Sequence, residues 1–162
     1  LPYEPAKENV EMARTIVVTA VVGTFDLSGR ARRTDLLGYL IISGIVGFFA
    51  NFLLHFSLSF KASIIAGVLI QTAFYIPLPA LFVRRLHDQA RSGWFGLLIL
   101  PAIVMQIYQG VAFATGTLPE GFFNPLNPAR LAVSVFSLLC MVFGLWPGST
   151  GENRFGPDPR QI

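Results

Sequence analysis

Four stretches of this chain carry no Asp, Glu, Lys or Arg over lengths that a lipid bilayer explains better than any soluble core. They lie between Asp35 and Lys61, between Lys61 and Arg84, from Arg91 to Glu120 and from Arg130 to Glu152. Crossing a hydrocarbon core about 30 Å thick takes roughly 20 helical residues. In lipid every backbone N–H and C=O must be satisfied within the segment, so helices follow rather than open strands. Composition agrees: 53% of the residues are hydrophobic and 13% charged, about half the charged share of a soluble domain. A soluble fold of 162 residues has too little interior for that apolar surface. The sequence therefore predicts an all-α polytopic membrane protein, a four-transmembrane-helix bundle preceded by an N-terminal interfacial amphipathic helix.

The expected organisation is an N-terminal cytoplasmic and interfacial segment over 1–33, the transmembrane domain over 34–148 and a cytoplasmic tail over 149–162 packed on the bundle. Upstream of the spans, the apolar run Ile16 to Val22 is too short to cross. It reads as a helix lying at the membrane surface, with a re-entrant segment as the alternative. Leu1 to Val10 lack the basic-then-apolar pattern of a cleavable signal, so the first span is expected to serve as its own insertion signal. Spans one and two are joined tightly around Ser59, Phe60 and Lys61, and spans two and three by the short polar link Arg84 to Ser92. Gly116 to Ala129, rich in Gly, Pro and Asn, reads as an irregular loop in which Phe122 and Phe123 dip into the interface.

Orientation follows from the basic residues. Lys7, Arg14, Arg30, Arg32 and Arg33 precede span one, Arg84, Arg85 and Arg91 lie in the second link, and Arg154 and Arg160 lie in the tail. Only Lys61 and Arg130 of the 12 Lys and Arg fall on the other side. The positive-inside rule puts both termini in the cytoplasm, with Trp94 and Trp146 as interfacial anchors. The net charge of +3 does not imply nucleic acid, because the basic residues flank apolar runs instead of forming a stripe on a soluble face. Cys140 is the single cysteine, which excludes an intrachain disulfide and a cysteine-based zinc site.

Within the spans there is no ionisable group at mid-membrane of the kind that ion-coupled carriers need. Asn51, Gln71 and Gln106 read as interhelical hydrogen-bonding groups, and Ser43, Gly44, Gly47 and Ala50 as a small-residue packing face. Pro77 and Pro79 should kink span two, and Pro101 span three.

The chemistry-bearing residues gather in three cytoplasmic segments. The densest is Arg84 to Trp94. If span two continues as helix, Arg84, His87, Asp88 and Arg91 share a face at i, i+3, i+4 and i+7. One reading is an anion site or a His–Asp general-base pair; the other is a polar clasp that ends the helix and turns the chain before Ser92, Gly93 and Trp94. A metal centre would need further His or Asp ligands, and His55 lies near the opposite end of span one, so neither metal nor cofactor is expected. The second segment holds Arg30 and Arg33 ahead of Thr34 or Asp35 as helix cap. The third, Gly151 to Pro159, has the Pro and Gly content of a rigid tail and carries Asn153, Arg154 and Asp158. Asp88 is expected to be the central acceptor of one cluster. Arg30 or Arg33 should reach it alongside Arg84 or Arg91, the tail should cover it, and Asp88→Ala should destabilise far more than Asp158→Ala.

Together the three segments resemble the DUF805 family of small bacterial inner-membrane proteins. The resemblance rests on Gly29-Arg30 with Arg33, on Arg84 to Asp88 followed by Arg91 to Trp94, and on Gly151 to Pro159. Phe155 stands where that family usually has Tyr, and Thr34-Asp35 replaces its acidic-aromatic pair. The resemblance implies an inner-membrane location and no known activity. The function expected is a non-enzymatic binding or accessory subunit whose cytoplasmic Arg/His/Asp cluster engages anionic lipid, a partner membrane protein or a second copy. The alternatives are a small transporter or channel-like bundle, and a lipid-headgroup enzyme using His87 and Asp88. For topology, a reporter fused after Pro159 should be active only in the cytoplasm and one inserted at Asn124 only outside; activity of both on one side would refute the four-span arrangement.

Overall fold

In the computed structural model of the chain, residues 5–122, 124 and 127–161 are described. Helices follow one another as α1 (Pro5–Val22), α2 (Arg33–Ser57), α3 (Phe60–Tyr75), α4 (Leu78–Asp88), a 3-10 helix (Gly93–Ile99), α5 (Leu100–Thr115) and α6 (Pro128–Leu145). Among the described residues the only β pairing is the isolated antiparallel bridge between Asn153 and Gly156. Four stretches are long and apolar enough to span a membrane. These are α2 with 25 residues, α3 and α4 together with 29, the 3-10 helix and α5 together with 23, and α6 with 18. At 1.5 Å per residue even the shortest is about 27 Å long.

The prolines bend spans two and three without breaking them. Pro77 has no N–H, so the Ala73 carbonyl accepts instead from Ile76 at 3.3 Å. The backbone stays right-handed through Ile76 (φ −58°, ψ −44°) and Pro77 (φ −74°, ψ −19°). At this bend the buried Tyr39 of α2 donates its hydroxyl to the Phe74 carbonyl at 2.9 Å. That bond satisfies an acceptor at a depth where water does not. In span three, Pro101 sits in the first turn of α5, where a missing N–H is tolerated, just after the tighter 3-10 segment.

The buried core lies at one end of the bundle. It comprises Leu36 and Tyr39 of α2, Leu78, Leu81, Phe82 and Leu86 of α4, Ala20 of α1 and Ala31 of the connection between α1 and α2. Elsewhere the spans present apolar side chains outward, Phe48, Phe52 and Phe56 along α2 among them. Lipid tails are as apolar as those side chains, so such exposure carries no hydrophobic penalty. α1 is not one of the spans; it lies on α2, with Ile16 over Gly38 and Ala20 buried. Phe122 is buried within the protein, its ring 6.0 Å from Tyr108 and beneath Arg130. Phe123 lies outside the described residues.

Small residues set the helix spacing, since close backbone approach is what holds membrane helices together. Gly47 of α2 faces Gln71 and Phe74, and Gly67 of α3 receives the Asn51 side chain. Gly44, expected on the same packing face, looks into open space. Gly110 is buried against α3, where a Cβ would lie 2.6 Å from Val68 Cγ1. The β-branched Val68 has little rotamer freedom with which to yield. Gly110→Ala should therefore cost about 1–3 kcal/mol in thermal unfolding of the detergent-extracted protein, whereas Gly44→Ala should not destabilise it.

Candidate functional site at the clasped end of the bundle

α4 delivers Arg84, Arg85, His87 and Asp88 in its last turn and then stops. Arg91 N–H donates to the Leu86 carbonyl at 3.0 Å and Ala90 N–H to the His87 carbonyl at 2.9 Å, a Schellman closure. Ala90 takes the left-handed conformation, φ 56°, that glycine usually fills. The helix thus does not continue to Arg91, and Arg91 leaves the face expected to hold Arg84, His87 and Asp88. Its guanidinium stacks over the rings of Phe143 and Trp146, 5.0 and 5.8 Å from their centroids.

Asp88 is held between two arginines. Arg30 donates from Nε at 3.0 Å and Nη2 at 2.8 Å to Oδ1, and Arg85 donates from Nη1 to Oδ2. The two arginine side chains are 1% exposed and that of Asp88 5%. The local partner is Arg85, at i−3, and neither Arg84 nor Arg91. Arg30 spends its remaining donors on tail carbonyls: Ser149 at 2.7 Å, Gly151 at 2.6 Å and Gly156 at 3.2 Å. A guanidinium has five N–H donors, and all five of Arg30 are used. Arg85 donates in addition to the carbonyls of Gly144, at 2.8 Å, and Trp146. Gly148 passes over the carboxylate so closely that a Cβ there would occupy the place of Asp88 Oδ2.

The tail is tied at several further points. Ser149 donates from N and Oγ to the Asp88 carbonyl at 2.7 and 2.9 Å, and Asn153 Nδ2 donates to the His87 carbonyl at 3.0 Å. Arg32 donates to the Pro159 carbonyl. Asp158, 4% exposed, accepts from Arg160 Nε and Nη2 at 2.8 Å each and from Gly151 N–H at 3.0 Å. The Arg160 side chain, then its amide and the Gly151 amide, hold the Asp158 carboxyl well below the usual carboxylate range. Asp158 is therefore a buried anchor of the tail, which narrows the contrast with Asp88 that the sequence leads one to expect.

These contacts join the three segments singled out in the sequence, and the DUF805 family, described as proteins of unknown function, matches residues 24–157, a range that contains the first two and the third as far as Pro157. The chain belongs to the DUF805 family. It is 30% identical over 133 residues to inner membrane protein YhaI of Escherichia coli K12, covering 82% of this chain and 85% of that one. Inner membrane protein YhaH of the same strain is 30% identical over 137 residues, with the same coverages. Uncharacterized protein YiiR, also of that strain, is 28% identical over 145 residues, covering 85% and 88%. No solved structure matches. With four spanning stretches and these relatives, this DUF805 chain is a multi-pass inner-membrane protein.

The remaining candidate residues of this DUF805 chain lie around the clasp, outside its centre. Arg84 is 8% exposed and turns towards the end of α1, where a Cβ on Gly23 would lie 2.6 Å from its Nη1. Its Nε and Nη2 have no hydrogen-bond partner among the described residues, and the negative end of the α1 dipole offsets part of that charge. His87 Nδ1 lies 3.2 Å from the Gly29 carbonyl and so donates to it, and the ring stacks on Phe155 with centroids 3.8 Å apart. The Arg154 guanidinium also lies over the Phe155 ring, 4.7 Å from its centroid. Ser92 Oγ accepts from Trp94 N–H and starts the 3-10 helix; Trp94 itself is 79% exposed. Arg33 is exposed and its side chain makes no hydrogen bond or ion pair with the described residues. It borders a pocket of about 350 Å³ beside the clasp, with Arg32, Thr34 and Arg160.

Sequence reasoning missed Ser149, Gly148, Arg32 and Arg160. Pro147-Gly148 straight after the last span was the available signal, since that pair marks a turn where the chain passes close over another group. Asp88→Ala would strand two buried arginines and should cost about 3–5 kcal/mol. Asp26→Ala, at an exposed carboxylate that among the described residues accepts only from Ser28, should stay within about 0.5 kcal/mol. Thermal unfolding in one detergent compares the two.

Proposed function

We propose that this DUF805 protein is a non-enzymatic binding or accessory protein of the inner membrane that holds anionic lipid headgroups at the arginine rim beside its clasp. The observation that carries this is Arg33, an exposed guanidinium with no counter-ion among the described residues, at the mouth of the pocket lined also by Arg32, Arg85, Arg160 and Asp88. Of the arginines there, Arg85 pairs with Asp88 and Arg160 with Asp158, and Arg33 has no counter-charge among the described residues. Asp88 adds no attraction for a cation there, because both its oxygens are occupied by arginines. The charge count along the chain supports a cytoplasmic position for this end and for both termini, where anionic headgroups lie against basic groups.

The enzymatic reading draws on one observation: His87 Nε2 faces the groove between α4 and the 3-10 helix. It lacks an orienting carboxylate, since Asp88 is committed to Arg30 and Arg85 and His87 Nδ1 to a backbone carbonyl. The transport reading needs a polar path between the kinked spans, and neither Gln71 nor Gln106 lines that groove.

Native mass spectrometry of the detergent-extracted full chain tests the binding reading. Arg33→Ala should weaken retention of phosphatidylglycerol about fivefold, from roughly 1 kcal/mol per basic residue near the surface, while Arg14→Ala on exposed α1 should not. An unchanged lipid complement in Arg33→Ala overturns the reading and makes the rim a surface for protein contact.

A further inference from the structure

The arginine pocket sits at the top of an apolar seam between α2 and α6. Along α2, Leu37 lies one turn beyond Arg33 and Leu40 one turn beyond that; along α6, Met141 and Leu145 lead up to Pro147 at the pocket. Between them is a cavity of about 270 Å³ floored by Phe82 and Leu78 of the core and bordered by Cys140. α6 meets α2 closely at its upper end, where a Cβ on Gly144 would lie 2.7 Å from Leu36 Cδ2. Below that contact Leu40 is 43% and Met141 59% exposed, so the cavity opens sideways to the bilayer.

From this stacking of a cationic pocket over a lateral apolar cavity, we propose that the α2–α6 seam is a built phospholipid site. The phosphate of an anionic glycerophospholipid lies against Arg33 and Arg160, and one acyl chain enters the cavity beside Cys140. The assignment rests on the headgroup reading above and adds the chain. Charge complementarity selects the occupant: the mouth presents the exposed Arg33, which has no counter-charge among the described residues, and the cavity wall is almost wholly aliphatic and aromatic. A zwitterionic lipid brings a second cation to the arginines, and a soluble anion has nothing to place in the seam. An acyl chain there is worth more than one at the general protein surface, since it fills a void whose lining otherwise lacks contacts on one side. Thr34, bordering the pocket, offers a hydroxyl to the same phosphate.

The sole cysteine supplies the readout. In detergent, the rate of Cys140 alkylation by N-ethylmaleimide is followed as lipid is added. Long-chain phosphatidylglycerol at ten times its Kd should slow it about tenfold, the factor 1 + [L]/Kd. Dihexanoyl phosphatidylglycerol and long-chain phosphatidylcholine should not, and Arg33→Ala should shift the protection to higher lipid concentration. Leu40→Trp, which fills the mouth of the seam at an exposed position, gives a second measurement by native mass spectrometry. It should reduce retention of the long-chain anionic lipid severalfold and leave that of the short-chain one unchanged. Arg33-dependent retention with no Cys140 protection and no effect of Leu40→Trp overturns the seam while the headgroup reading stands. Equal protection by phosphatidylcholine assigns the cavity to unselective bilayer lipid and also overturns it. Loss of Arg33-dependent retention sinks both readings.

Discussion

An ionised carboxylate at the end of a membrane helix has two stable situations: it faces water, or it is surrounded by donors. Asp88 is in the second, shared between Arg30 and Arg85 with all three side chains almost fully buried. Such a group need not add net stability, because desolvating three charges consumes much of what their attraction supplies. What it does supply is geometry. Arg30 comes from the chain before the first span, Asp88 from the end of the second and the carbonyl acceptors from after the fourth. A guanidinium is planar and its five donors point in fixed directions, so these parts meet in one arrangement. The position of α2 against α4, the course of the tail and the turn at Gly148 all follow from that meeting.

The spans were legible because charge is excluded from them, and exclusion over such lengths has one physical cause. Bends at Pro77 and Pro101 were legible for a similar reason, the absence of a backbone donor. Asp88 could be seen as a shared acceptor because the three segments on its side carry several arginines. Which arginines reach it was not legible. The helical wheel puts Arg84 and Arg85 both within reach, and the choice is made by α6, whose Gly144 and Trp146 carbonyls stand where Arg85 points. Arg91 misled because the helix ends at a left-handed alanine, a position where sequence ordinarily advertises glycine. The rim was hidden for another reason. Arg32, Arg33 and Arg160 look alike in sequence, and only packing separates the two tied to the tail from the one left facing out.

That separation divides the basic residues into two kinds with different work. Arg30 and Arg85 are consumed inside the protein and are no longer available to any ligand. Arg33 remains outside, close enough to raise the local potential and free to meet an anion. A charge count along the chain merges these kinds, and the exposed position of Arg33 is visible only once the internal pairs are set apart. The seam beneath the rim exists because α6 touches α2 at Gly144 and diverges below it.

The acceptors that complete Arg30 and Arg85 are Gly144, Trp146, Ser149, Gly151 and Gly156, all from the end of the last span or later. A ribosome makes them last. Through most of synthesis, then, the charged trio waits with its carbonyl partners missing. If α6 entered the bilayer the wrong way round, those carbonyls would sit about 27 Å away at the opposite face. The knot closes only when the end of the last span lies on the same side as the end of the second and the chain ahead of the first.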